Sequence, residues 1–245
     1  MKNDSVLCIS NDASCPLVRT RRATRGPELD MVHAFLDSSV AYSSLLGDGE
    51  EFILFLEPEI DSGFPDIVLV KFDSSRLGQW APLRNTLDIS DLKLLADVSV
   101  HKPSRCETIS SRTGFSRADI DVSLELLASC GLVEKRGESW KAASRSDFFA
   151  IERIVSIEAK IGDVRAAARQ ALLNRRFSSE SYILLDSSSI QKSSLSLCRS
   201  YGIGAIVAAG AAIQLPAPHV DVPINHVTLQ FNEWVCNILS GKAAE

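Results

Sequence analysis

Short apolar runs bounded by turn residues alternate with stretches whose apolar positions recur every three or four residues, the pattern of strands alternating with helices. Pro27-Glu28 opens a predicted helix with Leu29, Val32, His33, Leu36 and Val40 on one face, and Gly47-Asp48-Gly49 ends it. Residues 52–56 read as a buried strand, and the turn Asp61-Ser62-Gly63 leads through Pro65-Asp66 into a second at 67–70. In 155–160, apolar Ile157 and Ala159 alternate with Glu158 and Lys160, so the acid and the lysine share one strand face. Burying either group unpaired is costly, which makes the pair a candidate for chemistry. Gly162-Asp163 caps a helix running to about Phe177, followed by a strand at 181–185. A serine-rich loop then leads into a short helix stopping at Gly202, and 203–209 is another strand. Pro216, Pro218 and Pro223 mark an extended connector before an amphipathic helix at 225–239, with Phe231, Trp234, Val235 and Ile238 inward. Residues 1–18 read as a loosely held leader.

Between about 87 and 142 the periodicity changes to three short helices, at 90–98, 104–112 and 116–130, with Gly131 closing the third. Residues 132–140 then read as two short strands around Gly137. The stretch TISSRTGFSRADIDVSLELLASCGLVEKRGESW resembles a winged helix-turn-helix. The expected division is therefore a discontinuous α/β domain, 19–80 with 148–245, holding a winged-helix insert at 87–142. The third helix carries Arg117 against Asp119, Asp121 and Glu125, 1 − 3 = −2, where a DNA-reading helix meets phosphate. That favours dimerisation or protein interaction for the insert, leaving Lys135, Arg136 and Lys141 of the wing within reach of a nucleic-acid backbone.

The net charge of −5 argues against a general nucleic-acid coat, so DNA contact has to come from local basic patches. Two stand out. Arg19, Arg21, Arg22 and Arg25 follow one another with no acid between 19 and 27, and from 153 to 176 six bases face two acids, 6 − 2 = +4. Arg165 and Arg169 lie one turn apart within the second patch, and with Arg21, Arg22 and Arg25 they are the candidate phosphate contacts. Six scattered cysteines without a CxxC pair read as free thiols of a reducing cytoplasm. No signal peptide is evident, and the most apolar run, 202–215, has 14 residues, too few for a membrane span. The chain has no GxxxxGK[ST], strand-linked GxGxxG, GxSxG or HExxH motif, and its four histidines are far apart. A cytoplasmic protein with no membrane partner is expected.

Two acids and a lysine on neighbouring strands make a small oxygen-ligand metal site beside a cation, suited to metal-assisted phosphodiester hydrolysis. Acid-x-lysine alone says little, since Asp91-Leu92-Lys93 has it inside a predicted helix. The order helix, strand, turn, Pro65-Asp66 strand, Glu158-Ala159-Lys160 strand, helix, strand resembles the PD-(D/E)xK, restriction-endonuclease-like nucleases. The resemblance covers roughly 19–73 and 150–215 and implies an α-β-β-β-α-β core. It implies Mg2+, with Mn2+ as a substitute, held by Asp66, Glu158 and the Ala159 carbonyl, with Lys160 assisting the attacking water or the phosphate. It adds Glu28 on the first helix and, for the RecB-like branch, Gln170. That branch has a tyrosine four residues after the glutamine, where this chain has Asn174. The resemblance thus implies a DNA nuclease of defence, repair or mobile-element biology, working as a homodimer or with a protein partner through the insert. The alternative is a winged-helix DNA-binding regulator whose nuclease-like part does not catalyse.

Overall fold

The computed structural model describes residues 7–10, 18–22, 25–38, 44–47, 51–186 and 190–242. In chain order the elements are β1 (Leu7–Ile9), α1 (Pro27–Leu36), β2 (Phe52–Leu56), β3 (Ile67–Phe72), 3-10 turns at Ser74–Gln79 and Pro82–Thr86, α2 (Ile89–Val100), α3 (Cys106–Thr113) and α4 (Arg117–Ser129). They continue with β4 (Val133–Arg136), β5 (Ser139–Ala142), α5 (Arg145–Phe148), β6 (Ile151–Lys160), α6 (Val164–Asn174), β7 (Glu180–Leu185), α7 (Lys192–Tyr201), β8 (Gly204–Val207), β9 (Ala212–Leu215) and α8 (His226–Lys242). The chain forms two compact units, residues 1–72 with 151–223 and residues 73–150 with 224–245.

The first unit is a seven-stranded mixed sheet in the order β1-β2-β3-β6-β7-β8-β9. Strands β2, β3 and β6 pair antiparallel, β6, β7 and β8 pair parallel, and β9 returns antiparallel to β8. Odd-numbered residues of β6 pack with Met31, Val32 and Phe35 of α1, while Ala167, Ala168 and Ala171 of α6 pack on the odd-numbered residues of β7 and with α7. Opposite strand faces therefore carry α1 and the α6–α7 pair. Both faces being covered, residues 154–159 of β6 are all buried. The alternation around Glu158 thus separates two buried faces, one apolar and one with Ser156 and Glu158, and not an inside from an outside.

Two sequence readings change here. Residues 7–9 of the expected leader form an edge strand paired parallel with β2, too short to leave a periodic signal. The buried face of α1 is Met31, Val32 and Phe35; His33 is exposed, Leu36 half-buried, and Val40 lies outside the described residues. The helix also ends earlier than expected, at Leu36 with Asp37 as its C-cap and not at Gly47-Asp48-Gly49, of which Asp48 and Gly49 lie outside the described residues.

In the second unit, α2, α3 and α4 are followed by the antiparallel β4-β5 hairpin. Asp88 caps α2 through a capping box with Asp91, and Ser116 caps α4. Leu92, Leu95, Ile109, Ile120, Leu124, Leu127, Leu132 and Trp140 are all buried. The C-terminal helix α8, assigned from sequence to the sheet domain, belongs to this unit, as do 73–86 and 143–150. The reason is polar as well as apolar: Glu233 of α8 holds buried Arg84 at 2.5 Å, Arg84 also donates to the Phe148 carbonyl, and the Asn232 side chain bonds Ala150 N and Phe148 O. Among the described residues no helix is long and apolar enough to cross a membrane. Cys8, Cys106, Cys130, Cys198 and Cys236 are free thiols, and Cys15 lies outside the described residues.

Candidate functional site

Strand pairing does most of the assembly. Ile67 of β3 faces Ile157 of β6 in an antiparallel ladder, so one step further along Asp66 and Glu158 come side by side at the end of the sheet, although 158 − 66 = 92 positions separate them. Asp66 Oδ2 accepts the Ala159 N–H at 2.7 Å, which ties the first acid to the second strand. Glu158 is only 4% exposed, and its Oε1 accepts the Asn174 side-chain amide of α6 at 2.6 Å. Lys160 Nζ, half-buried at the strand end, donates to Glu28 Oε2 of α1 at 3.0 Å, and the Ile161 N–H donates to the other Glu28 oxygen at 3.4 Å. Glu28, Asp66, Glu158 and Lys160 are thus brought together from α1, the residue just before β3, and β6.

A cavity of about 360 Å³ opens beside them. Asp66, Ala159, Lys160, Glu28 and Gln170 line its polar side, with Leu29, Val32 and Leu56 on its apolar side and Arg21, Glu57 and Phe64 completing the wall. Glu158 itself is not among the lining residues.

Burial pushes the Glu158 carboxyl up to about 8; the Asp66 charge adds to this and the Asn174 amide opposes it. Asp66 is raised to about 6, first by burial and then by Glu57 and Glu28, against the Ala159 N–H and Lys160. Two adjacent carboxylates under these conditions resist being charged together unless a cation joins them. A divalent ion that takes one or two carboxylates and completes its shell with water and phosphate oxygens fits such a pair. Among the described residues no group of three or more His, Cys, Asp or Glu is arranged to hold a metal, so the candidate donors are the two carboxylates and the Ala159 carbonyl.

The arginines expected to meet phosphate do not act as one group. Arg21 is engaged within the protein: its Nε donates to Glu57 Oε2 at 2.5 Å and its guanidinium lies 4.8 Å from the centroid of the Phe64 ring. Arg22 and Arg25 are exposed and do not line the cavity. Arg165 lines a separate groove of about 400 Å³ with Ser193, Ser194 and Ser196 of α7, and Arg169 is exposed. Arg153 and Arg175, counted in the basic patch, are tied to Glu180 and to the Tyr201 carbonyl. Sequence reasoning missed Glu57, Phe64 and the part Asn174 plays. For Glu57 no signal was available, because it reaches the site through a positive φ of 44° at the end of β2. For Asn174 a signal did exist, as the residue standing where the RecB-like pattern has tyrosine. No family model, curated protein or solved structure matches this chain, so the interpretation of the site rests on its own geometry.

Proposed function

We propose that the sheet unit is a Mg2+-dependent nuclease of the PD-(D/E)xK type that hydrolyses DNA phosphodiester bonds. The observation that carries this reading is the convergence of Asp66, Glu158 and Lys160 at one sheet end, beside a cavity, from strands far apart in sequence. The run α1-β2-β3-β6-α6-β7, with its antiparallel and then parallel pairing, supports the α-β-β-β-α-β core that the resemblance implies.

Asp66, Glu158 and the Ala159 carbonyl would hold the ion, Mg2+ or Mn2+, which when bound acidifies a water and stabilises charge developing on the phosphate. The protein's own groups do the rest. The Ala159 N–H fixes one oxygen of Asp66, and the Asn174 amide fixes one oxygen of Glu158, so both carboxyls are restrained where they meet. A bound cation would favour the ionised form of Glu158, which burial and the Asp66 charge otherwise oppose. The Lys160 ammonium, steered by Glu28, orients the attacking water or neutralises the phosphate. The second unit we read as a protein-contact or dimerisation module of winged-helix type: Arg117, the base of α4, is already paired with Asp121 and Glu107.

A cleavage assay on single-stranded and duplex DNA, with and without Mg2+ or Mn2+, tests the reading. Asp66→Ala and Glu158→Ala abolish cleavage and weaken Mg2+ binding. Lys160→Ala abolishes cleavage but retains most Mg2+ binding, since an ammonium has no lone pair for a cation. A Glu158→Ala protein that cuts at the wild-type rate overturns the assignment.

A further inference from the structure

Half of the cavity wall is unexplained by phosphate chemistry. Holding a phosphate and a cation needs charges and donors, yet this recess has an apolar side of Leu29, Val32 and Leu56, and Phe64 at its edge with 38% of its surface exposed. Over the Phe64 ring lies the Arg21 guanidinium, and the two planar groups form an aromatic and cationic surface of the kind on which nucleobases stack.

The surface is held in place from several sides. Besides its side-chain bond to Glu57, Arg21 donates its backbone N–H to the Glu57 carbonyl at 2.9 Å, and the Glu59 N–H donates to the Arg19 carbonyl at 2.9 Å. Within the loop that carries Phe64, Ile60 and Gly63 exchange two backbone hydrogen bonds of 3.0 Å each. The Glu57 N–H in turn donates to the Asp66 carbonyl at 3.1 Å, coupling this platform to the acid that begins the site. With the Glu57 carboxylate already on its Nε, Arg21 serves better as a flat face than as a phosphate clamp. The volume of about 360 Å³ lies at the lower end of small-ligand pockets, roughly 300–1,000 Å³.

We infer that this cavity receives a nucleotide whose base has left the helical stack, with the base against Phe64 and Arg21 and its phosphate toward Asp66 and Lys160. The substrate is then single-stranded DNA or a frayed duplex end, and not the backbone of an intact helix. The inference deepens the nuclease reading and rests on it. Because base–aromatic stacking accepts every base, it also calls for little sequence preference.

The test uses the full chain in EDTA with three ligands: an oligothymidylate, an abasic deoxyribose-phosphate chain of equal length, and a covalently closed duplex. The wild-type protein binds the thymidylate about tenfold more tightly than the abasic chain. Phe64→Leu loses most of that preference while leaving abasic affinity unchanged, and Phe64→Tyr keeps it. Equal wild-type affinity for the two single chains overturns the inference. So does a preference that survives Phe64→Leu, or a loss on the closed duplex as large as on the thymidylate. Adding Mg2+ or Mn2+ separates the two readings: a base preference with no chain cut leaves the platform standing and sinks the nuclease. Cleavage that ignores the presence of bases does the reverse.

Discussion

Glu158 has one strong donor, the Asn174 amide, and one close rival for negative charge, Asp66. Between an ordinary 4.5 and the folded value of about 8, the folded protein keeps the Glu158 proton that the unfolded chain has lost. Asp66 behaves likewise between 3.8 and about 6. Stability without a cation therefore falls as pH rises across this window, by on the order of a few kcal/mol. In EDTA the Tm should be lower at pH 8 than at pH 5, and Glu158→Gln should remove most of the difference; a wild-type Tm that stays level over that range contradicts the buried-pair description. Asn174→Ala removes a donor that favours the carboxylate, an interaction worth about 1.5–3 kcal/mol for a charged acceptor. The acid limb of Mg2+-dependent cleavage should move up by about 1–2 pH units, read from the pH–rate profile. At this scale Asp66, Glu158 and Lys160 were legible, because their types and spacing are unusual on apolar strands. Glu57 was not, since its place depends on a backbone angle and not on a pattern.

At the scale of elements, α6 was read well because its start is local chemistry: the Asp163 carboxylate accepts the Ala166 N–H, and Gly162 supplies the positive φ before it. The helix ends on Asn174, whose side-chain amide donates to Glu158. The strand pair β7-β8 depends on something no periodicity carries. Gly204 lies opposite Tyr182, and a Cβ there would stand 2.3 Å from the ring and 2.8 Å from the Ala217 backbone nitrogen. Gly204→Ala should cost at least about 1–3 kcal/mol, measured by urea unfolding, because ring and backbone must both move. The face of α1 was misread for a related reason. Period alone allows several neighbouring stripes, and the sheet chose the one with Met31 and Phe35.

For the whole molecule, the chain crosses between its two units three times, near residues 72, 150 and 223. The last crossing sends α8 into the second unit, where Glu233 neutralises buried Arg84. Removing one partner of such a pair strands the other, so Glu233→Ala should destabilise that unit by about 3–5 kcal/mol. Hydrogen exchange checks this directly: amides of α2, α4 and α8 lose protection, while those of β3 and β6 keep theirs. The sequence by itself determined the alternation of strands and helices, the interruption at about 87–142, and the acids and lysine of the candidate site. These follow from local propensity and side-chain type, which any short window displays. Only the tertiary structure decided that β1 joins the sheet, that α8 leaves it for the second unit, and that Glu57, Phe64 and Asn174 gather around Asp66 and Glu158. Glu57 and Phe64 lie within ten residues of Asp66, yet their place beside Glu158, like that of β1 and α8, depends on which buried surfaces and polar groups satisfy one another across long separations, and there no local window of the chain contains both partners.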